Sequence, residues 1–187
     1  MKQAKVLTDK DIKIVQAYIS RSSFAVRNRC MFMLTHYSGM RVGEIAALSI
    51  DDVVDANGRV KDQILLKKHQ TKGNEARTVL LNTNAQHEIE IYMRNNKRDK
   101  TQPLFISKAG TRFSSNSLCQ VFGRIYHKCG LDTATSHSGR RTYLTSLANK
   151  GIGIHLLAAL AGHKNISTTM VYLNANVDML RAAVELV

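Results

Sequence analysis

The sequence is short of most features that would assign it quickly, and each shortage excludes something. Cysteine occurs three times in 187 residues, an odd number with no C-x-x-C pair. That excludes a disulfide framework, so Cys30, Cys119 and Cys129 read as small buried apolar side chains in a reducing, cytoplasmic setting. Proline occurs once, at Pro103, marking a loop before "LFIS". The longest apolar run, residues 151–162 ("GIGIHLLAALAG"), falls well short of the roughly 20 residues a membrane span needs. The opening "MKQAKVLTDKDIK" has charge without an apolar stretch, so no signal peptide is expected. There is no internal repeat and no low-complexity segment. The phosphate-binding G-x-x-x-x-G-K-[ST] loop, the H-E-x-x-H helix and C-x-x-C ligand pairs are all missing, and the few acids do not cluster with the histidines. If the partner is a nucleic acid and chemistry occurs on it, that chemistry is expected to need no metal and no other cofactor, with Arg, Lys and His supplying the charge.

What is present begins with charge. Lysine and arginine number 27 against 14 acids, a net of +13. Residues 61–150 hold 16 basic and 6 acidic side chains, a net of +10, whereas 151–187 hold two of each sign. No block of five or six like charges occurs, so this is a folded basic face and not a tail. Such a face suits a polyanion, because each phosphate it neutralises releases counterions; a merely soluble basic protein is the plainer reading of charge alone. At 44% hydrophobic residues the chain is globular, and its length suits one domain with a proper core.

Periodicity sets the fold class. In "TDKDIKIVQAYIS" (8–20) a Thr N-cap and an acid three residues on precede Ile12, Val15 and Ile19 at helical spacing. A second helix is expected over 22–38, with Phe24, Cys30, Met31 and Leu34 inward and Gly39 as the stop. A short third helix, "RVGEIAALS", follows. The pattern then changes to period two, with turn signals at Asn57-Gly58 and Lys72-Gly73-Asn74. This predicts a three-stranded antiparallel sheet over roughly 59–61, 63–69 and 77–81. Further helices are expected near 84–96, 115–129, 138–150, 154–161, 166–173 and 177–186. The expectation is a mostly helical α+β domain with one small sheet.

Four clusters carry groups suited to phosphate chemistry. "SGMRVGEIAALS" puts Arg41 at a helix start with Glu44 three residues on, where the carboxylate can hold the guanidinium from behind. "HQTKGNEAR" places Lys72 on a hairpin tip. "SHSGRRTYLTS" sets His137 and Arg140 on one face of a helix start. "GHKNISTTMVYLN" supplies His163 and, nine residues later, Tyr172. Taken singly, each has an ordinary reading: a surface ion pair, a solvated lysine, a helix cap, a core-edge tyrosine.

Taken together and in this order, the set resembles the tyrosine recombinases, the phage integrase family. The correspondence runs through Arg41 in "GMRVGE", Lys72 in the hairpin, His137 and Arg140 in "HSGRRT", His163 in "GHKN" and Tyr172 after "ISTTMV". It covers the chain from about residue 7 to 187, as that family's catalytic domain. The resemblance implies a site-specific recombinase acting on double-stranded DNA. In it, Arg41 and Arg140 cradle the scissile phosphate, and loss of either donor costs about 10²–10³ in rate. A tyrosine of ordinary pKa is only about a thousandth ionised at pH 7, so the nucleophile Tyr172 needs help. That falls to His137 as acid–base, His163 as a hydrogen-bonding partner, and Lys72 as proton donor to the leaving 5′ oxygen. The product is a 3′-phosphotyrosyl link, which a second strand's hydroxyl reverses without ATP or metal.

The same resemblance sets further expectations. The final "VDMLRAAVELV" would dock on a neighbouring protomer in a synaptic tetramer, or pack on its own domain in a free monomer. Three departures stand out. Gly139 replaces the family's usual apolar residue and is expected to weaken its helix start. Leu173-Asn174 stands where a Thr-His pair is common. The N-terminal core-DNA-binding domain that most members carry has no counterpart here, so the chain is either an excised catalytic domain or a naturally short recombinase. Competing readings are a nicking and resealing activity like that of type IB topoisomerases, a DNA-binding regulator without chemistry, and a basic structural protein.

Overall fold

Thr8 starts the first helix because its hydroxyl accepts the Asp11 amide while the Asp11 carboxylate accepts the Thr8 amide. These reciprocal bonds satisfy two donors that every helix start leaves open. The computed structural model describes residues 3–94, 96, 98–172 and 184–185. Helix α1 (Asp9–Ser20) lays Val15 and Ile19 against α2 (Ala25–Tyr37). In α2 the residues from Cys30 to Thr35 are all buried, so this stretch is enclosed on every side and forms the axis of the domain. Phe24 is not inward as expected. It precedes α2 at the surface, 38% exposed, with the Arg27 guanidinium 4.1 Å above its ring.

Around that axis stand α3 (Val42–Ala47), α4 (Ile50–Val53), α5 (Thr83–Arg94), α6 (Ser115–Lys128) and α7 (Ser138–Asn149). They are followed by α8 (Ile154–Ala161) and α9 (Ser167–Met170). Phe32, Phe105, Phe122 and Tyr126 are fully buried, each stabilising the fold by about 1.5–3 kcal/mol through removal from water. Gly39 ends α2 in the left-handed region, φ 63°, and a Cβ there would lie 2.5 Å from the Tyr143 ring. The chain turns at once into α3. Among the described residues no helix is long and apolar enough to cross a membrane. Of the cysteines, only Cys30 is fully buried; Cys119 and Cys129 are half-buried, and none is paired.

The sheet has two strands, not three: β1 (Gln63–Leu66) and β2 (Arg77–Leu80) pair antiparallel with Gln63 opposite Leu80. Two local competitions explain the difference. The segment expected as a first strand spends its bonds on the end of α4: the Lys61 amide reaches the Val53 carbonyl and Asp55 binds Arg59. Only an isolated bridge, Val54 to Val60, results. The next strand stops at Leu66 because Gln70 folds back. Its Oε1 accepts the Lys67 amide, its Nε2 donates to the buried Asp52 at 2.7 Å, and a single 3₁₀ turn (Lys68–Gln70) replaces the strand. Helix α4 is an addition to the expected elements, although Ser49 and Asp52 carry the cap that starts it. The helix expected over 166–173 shortens to the single turn of α9. The Leu173-Asn174 departure and the helix expected over 177–186 lie outside the described residues, except Val184 and Glu185.

Gly139 does more than loosen a helix start. In the first turn of α7 it faces Thr35 of α2, and a Cβ there would lie 1.9 Å from the Thr35 hydroxyl oxygen. The missing side chain is what lets α7 approach the axis.

Candidate active site

The clusters separated in sequence converge at one cleft. Arg41 is the N-cap residue of α3; its backbone N–H donates to Glu44 Oε2 at 2.8 Å and its Nη1 donates to Glu44 Oε1 at 2.8 Å. Glu44 is 1% exposed, so it does hold Arg41 from behind. Its pKa is lowered: burial alone would raise it, but hydrogen bonds and charge from Arg77 and then Arg41 outweigh that. Arg41 Nη2 also reaches the Gly162 carbonyl at 3.3 Å, which brings α3 beside the turn that carries His163.

Arg140 lies in the first turn of α7 and is 5% exposed. Its Nη1 donates to the Gly39 carbonyl at 2.6 Å and its Nη2 to the Ala161 carbonyl at 2.6 Å. The two glycine turns, one ending α2 and one ending α8, are thus tied to the same guanidinium. Burial, followed by the charge of Arg41, pulls its pKa down to about 10, so it remains a cation at neutral pH.

Nη2 of Arg140 also lies 3.0 Å from His163 Nε2. Arginine can only donate, so Nε2 is an acceptor and carries no proton. A neutral imidazole then has its proton on Nδ1, which lies 2.9 Å from the hydroxyl of Thr169, a wholly buried residue of α9. The tautomer is fixed from both sides. Burial, then the charges of Arg140, Arg41 and Arg77, lower the pKa of His163 to about 4. The ring of Tyr172 stacks on that of His163, centroids 6.3 Å apart and planes within 15°. Tyr172 is half-buried, and its backbone N–H closes the turn on the Thr169 carbonyl at 3.0 Å.

His137 is the N-cap residue of α7 and is exposed. Partial burial, then the positive charge of Arg140, Lys72 and Arg41, lowers its pKa and leaves it a neutral base. Lys72 is exposed on the loop between β1 and β2. Together with Arg41 it lines two adjoining hollows, one reaching His163 and Arg77 and the other reaching His137. Arg41, Lys72, His137, His163 and Glu44 line these hollows, while Arg140 and Tyr172 join them through their contacts with His163. Among the described residues, no three His, Cys, Asp or Glu side chains gather as metal ligands would.

Two residues at the site go beyond the sequence reading. Arg77, the first residue of β2, grips Glu44 with Nε at 3.0 Å and Nη2 at 2.7 Å. A signal was available: in the period-two pattern Arg77 shares its face with buried Val79, and a charge on an apolar face needs a buried partner. Thr169 gave no signal, since nothing in "STTM" separates the hydroxyl that meets His163 from its neighbour's.

Comparison with known proteins places the chain and its fold in a family. Over 178 residues the chain is 28% identical to the tyrosine recombinase XerC of Lactobacillus leichmannii, matching 91% of this chain and 58% of that protein. It is 27% identical over 184 residues to the tyrosine recombinase XerA of Pyrococcus horikoshii, covering 97% of this chain and 60% of that protein. The chain thus spans about three-fifths of the length of these relatives. The crystal structure of a XerA recombinase superposes with a TM-score of 0.76 over 98% of this chain and 65% of its own, at 24% identity, which shows a shared fold. Residues 5–179 match the profile of the phage integrase family, and the chain belongs to that family.

Proposed function

We propose that this chain is the catalytic part of a site-specific DNA recombinase that breaks and rejoins strands through a covalent tyrosine intermediate. One observation carries the reading: the Tyr172 ring stacks on His163, which is locked to the buried Arg140. The tyrosine is thereby set beside fixed cations, the arrangement that attack on a phosphodiester demands.

The steps follow from the residues. Arg41 and Arg140 offer N–H donors to the non-bridging oxygens of the phosphate, already oriented by Glu44 and by backbone carbonyls. His137, neutral at pH 7, accepts the proton of the Tyr172 hydroxyl as its oxygen bonds to phosphorus. The bond from phosphorus to the 5′ oxygen breaks, and Lys72 on its loop supplies the proton that leaves with that oxygen. The phosphotyrosine keeps the bond energy, so the 5′-hydroxyl of another strand completes the exchange by the reverse path. His163 aligns Arg140 and backs the tyrosine ring. Exchange between two duplexes calls for several protomers on DNA, and the family resemblance implies a synaptic tetramer.

The test is a nicked duplex carrying a candidate core site, from which the short 5′-hydroxyl fragment diffuses away and traps the intermediate. A protein–DNA band on a denaturing gel is expected for the wild type and should vanish in Tyr172→Phe. DNA binding without any such band on every site tried would sink the reading. Relaxation of supercoiled plasmid without strand exchange would point instead to nicking and resealing alone.

A further inference from the structure

The geometry points to Arg77 as a positioning residue that sets the Arg41 guanidinium and the His163 turn in register without itself touching the phosphate. This rests on the reading of the cleft as a strand-transfer site.

The side chain of Arg77 is committed along its length. Its Nε donates to Glu44 Oε1 and its Nη2 to Glu44 Oε2, while Nη1 reaches the Leu160 carbonyl at 3.3 Å. Its Cδ packs so closely on Gly162, at φ 61°, that a Cβ on that glycine would lie 2.6 Å away. With 12% of its side chain exposed, Arg77 has its donors turned into the protein. Arg41, by contrast, uses Nη1 on Glu44 and makes only a long 3.3 Å contact with the Gly162 carbonyl.

Glu44 is the pivot. Each of its oxygens accepts one bond from Arg41 and one from Arg77. Four charge-assisted bonds fix the carboxylate plane, and the carboxylate fixes Arg41. Take Arg77 away and Glu44 keeps its buried charge with half its donors, free to tilt and to carry Arg41 with it. Because Arg77 also begins β2, the strand rising from the Lys72 loop, one side chain links the supports of Lys72, Arg41 and His163.

Lysine cannot replace this fork. An ammonium keeps the charge but does not present two parallel N–H groups to a carboxylate while a third meets a carbonyl. Arg77→Lys is therefore expected to slow formation of the covalent intermediate by about tenfold to a hundredfold, the usual effect of a small misplacement of reacting groups. Affinity for the same duplex, measured in the Tyr172→Phe background, should stay within about twofold, since net charge and the phosphate donors are unchanged. A residue acting through Arg41 should also be non-additive with it: in an Arg41→Lys background, Arg77→Lys should add little further slowing. Arg77→Gln, measured alongside with thermal melts of every variant, guards against one substitution that merely unfolds the chain. Wild-type cleavage rates in both Arg77 variants would overturn the assignment, as would full multiplication of the Arg41 and Arg77 effects or slowing that tracks the loss of melting temperature. Absence of intermediate in the wild type would instead refute the underlying reading of the cleft.

Discussion

Replacing Gly139 by alanine sets two effects of known size against each other. Glycine inside a helix costs about 0.5–1 kcal/mol relative to alanine, so on helix propensity alone Gly139→Ala should stabilise. The structure predicts the reverse. The new methyl would lie 1.9 Å from Thr35 Oγ1, 2.8 Å from Thr35 Cβ and 3.4 Å from the Thr35 backbone carbon. Turning the threonine side chain clears the first overlap only by breaking its 2.7 Å bond to the Phe32 carbonyl, worth about 1 kcal/mol. The Cβ contact remains whichever way it turns. Overpacking of this kind costs about 1–3 kcal/mol, so the net should be destabilising by about 1–3.5 kcal/mol once propensity and the lost bond are included. For a domain of this size that lowers the melting temperature by about 2–14 °C. Gly123 in α6 is the control: it is exposed, with nothing within 4 Å of the place a methyl would take, so Gly123→Ala should gain the propensity term. Urea unfolding of both variants measures the pair. If Gly139→Ala is as stable as the wild type, the close approach of α7 to α2 is wrong.

Other outcomes are expected at the histidine. Thr169→Val removes the acceptor of the His163 Nδ1 proton and leaves that N–H buried without a partner, a loss of about 1–3 kcal/mol. Covalent complex should form about tenfold to a hundredfold more slowly, with Thr169→Ser close to the wild type; equal rates in the valine variant would contradict the tautomer deduced above. The folded pKa of His163, about 4, lies below its ordinary 6.5, so between those values the unfolded chain binds the proton that the fold refuses. Stability present above pH 6.5 is therefore lost as pH falls towards 4, and His163→Gln should make that decline shallower in melts across the range. His137 and His36 are lowered too and add in the same direction. Glu44, whose pKa is also lowered, contributes stability above the carboxylate range that is lost further down.

The parts of this molecule legible in the sequence are those where one local rule acts unopposed. Thr8 with Asp11 announces α1, and the spacing of Val15 and Ile19 gives its inward face, because capping and helical period agree. The sheet departs from expectation where side chains compete for the backbone. Gln70 and Asp55 are hydrophilic in any pattern, and nothing in a period-two count foretells that they will take the amides a strand requires. The site follows the same division. Arg41 and Glu44 are three residues apart, so their bond is a matter of helix geometry, whereas the bond between Glu44 and Arg77 spans 33 residues and exists only because α3 and β2 meet.

The cleft's charge balance ties these features to its chemistry. Arg41, Arg77 and Arg140 approach one another with Glu44 as the buried carboxylate between two of them. The excess positive charge falls on the histidines, and after burial it is the second reason that both are held neutral. On the proposed reading, a phosphodiester would bring the missing negative charge. Whatever raises the histidine pKa values on binding must, by linkage, be bound more tightly as the pH falls. Acid should therefore weaken the fold through His163 while strengthening the hold on a phosphate, two opposite trends from one ring. A site arranged merely for packing would have no reason to produce the second.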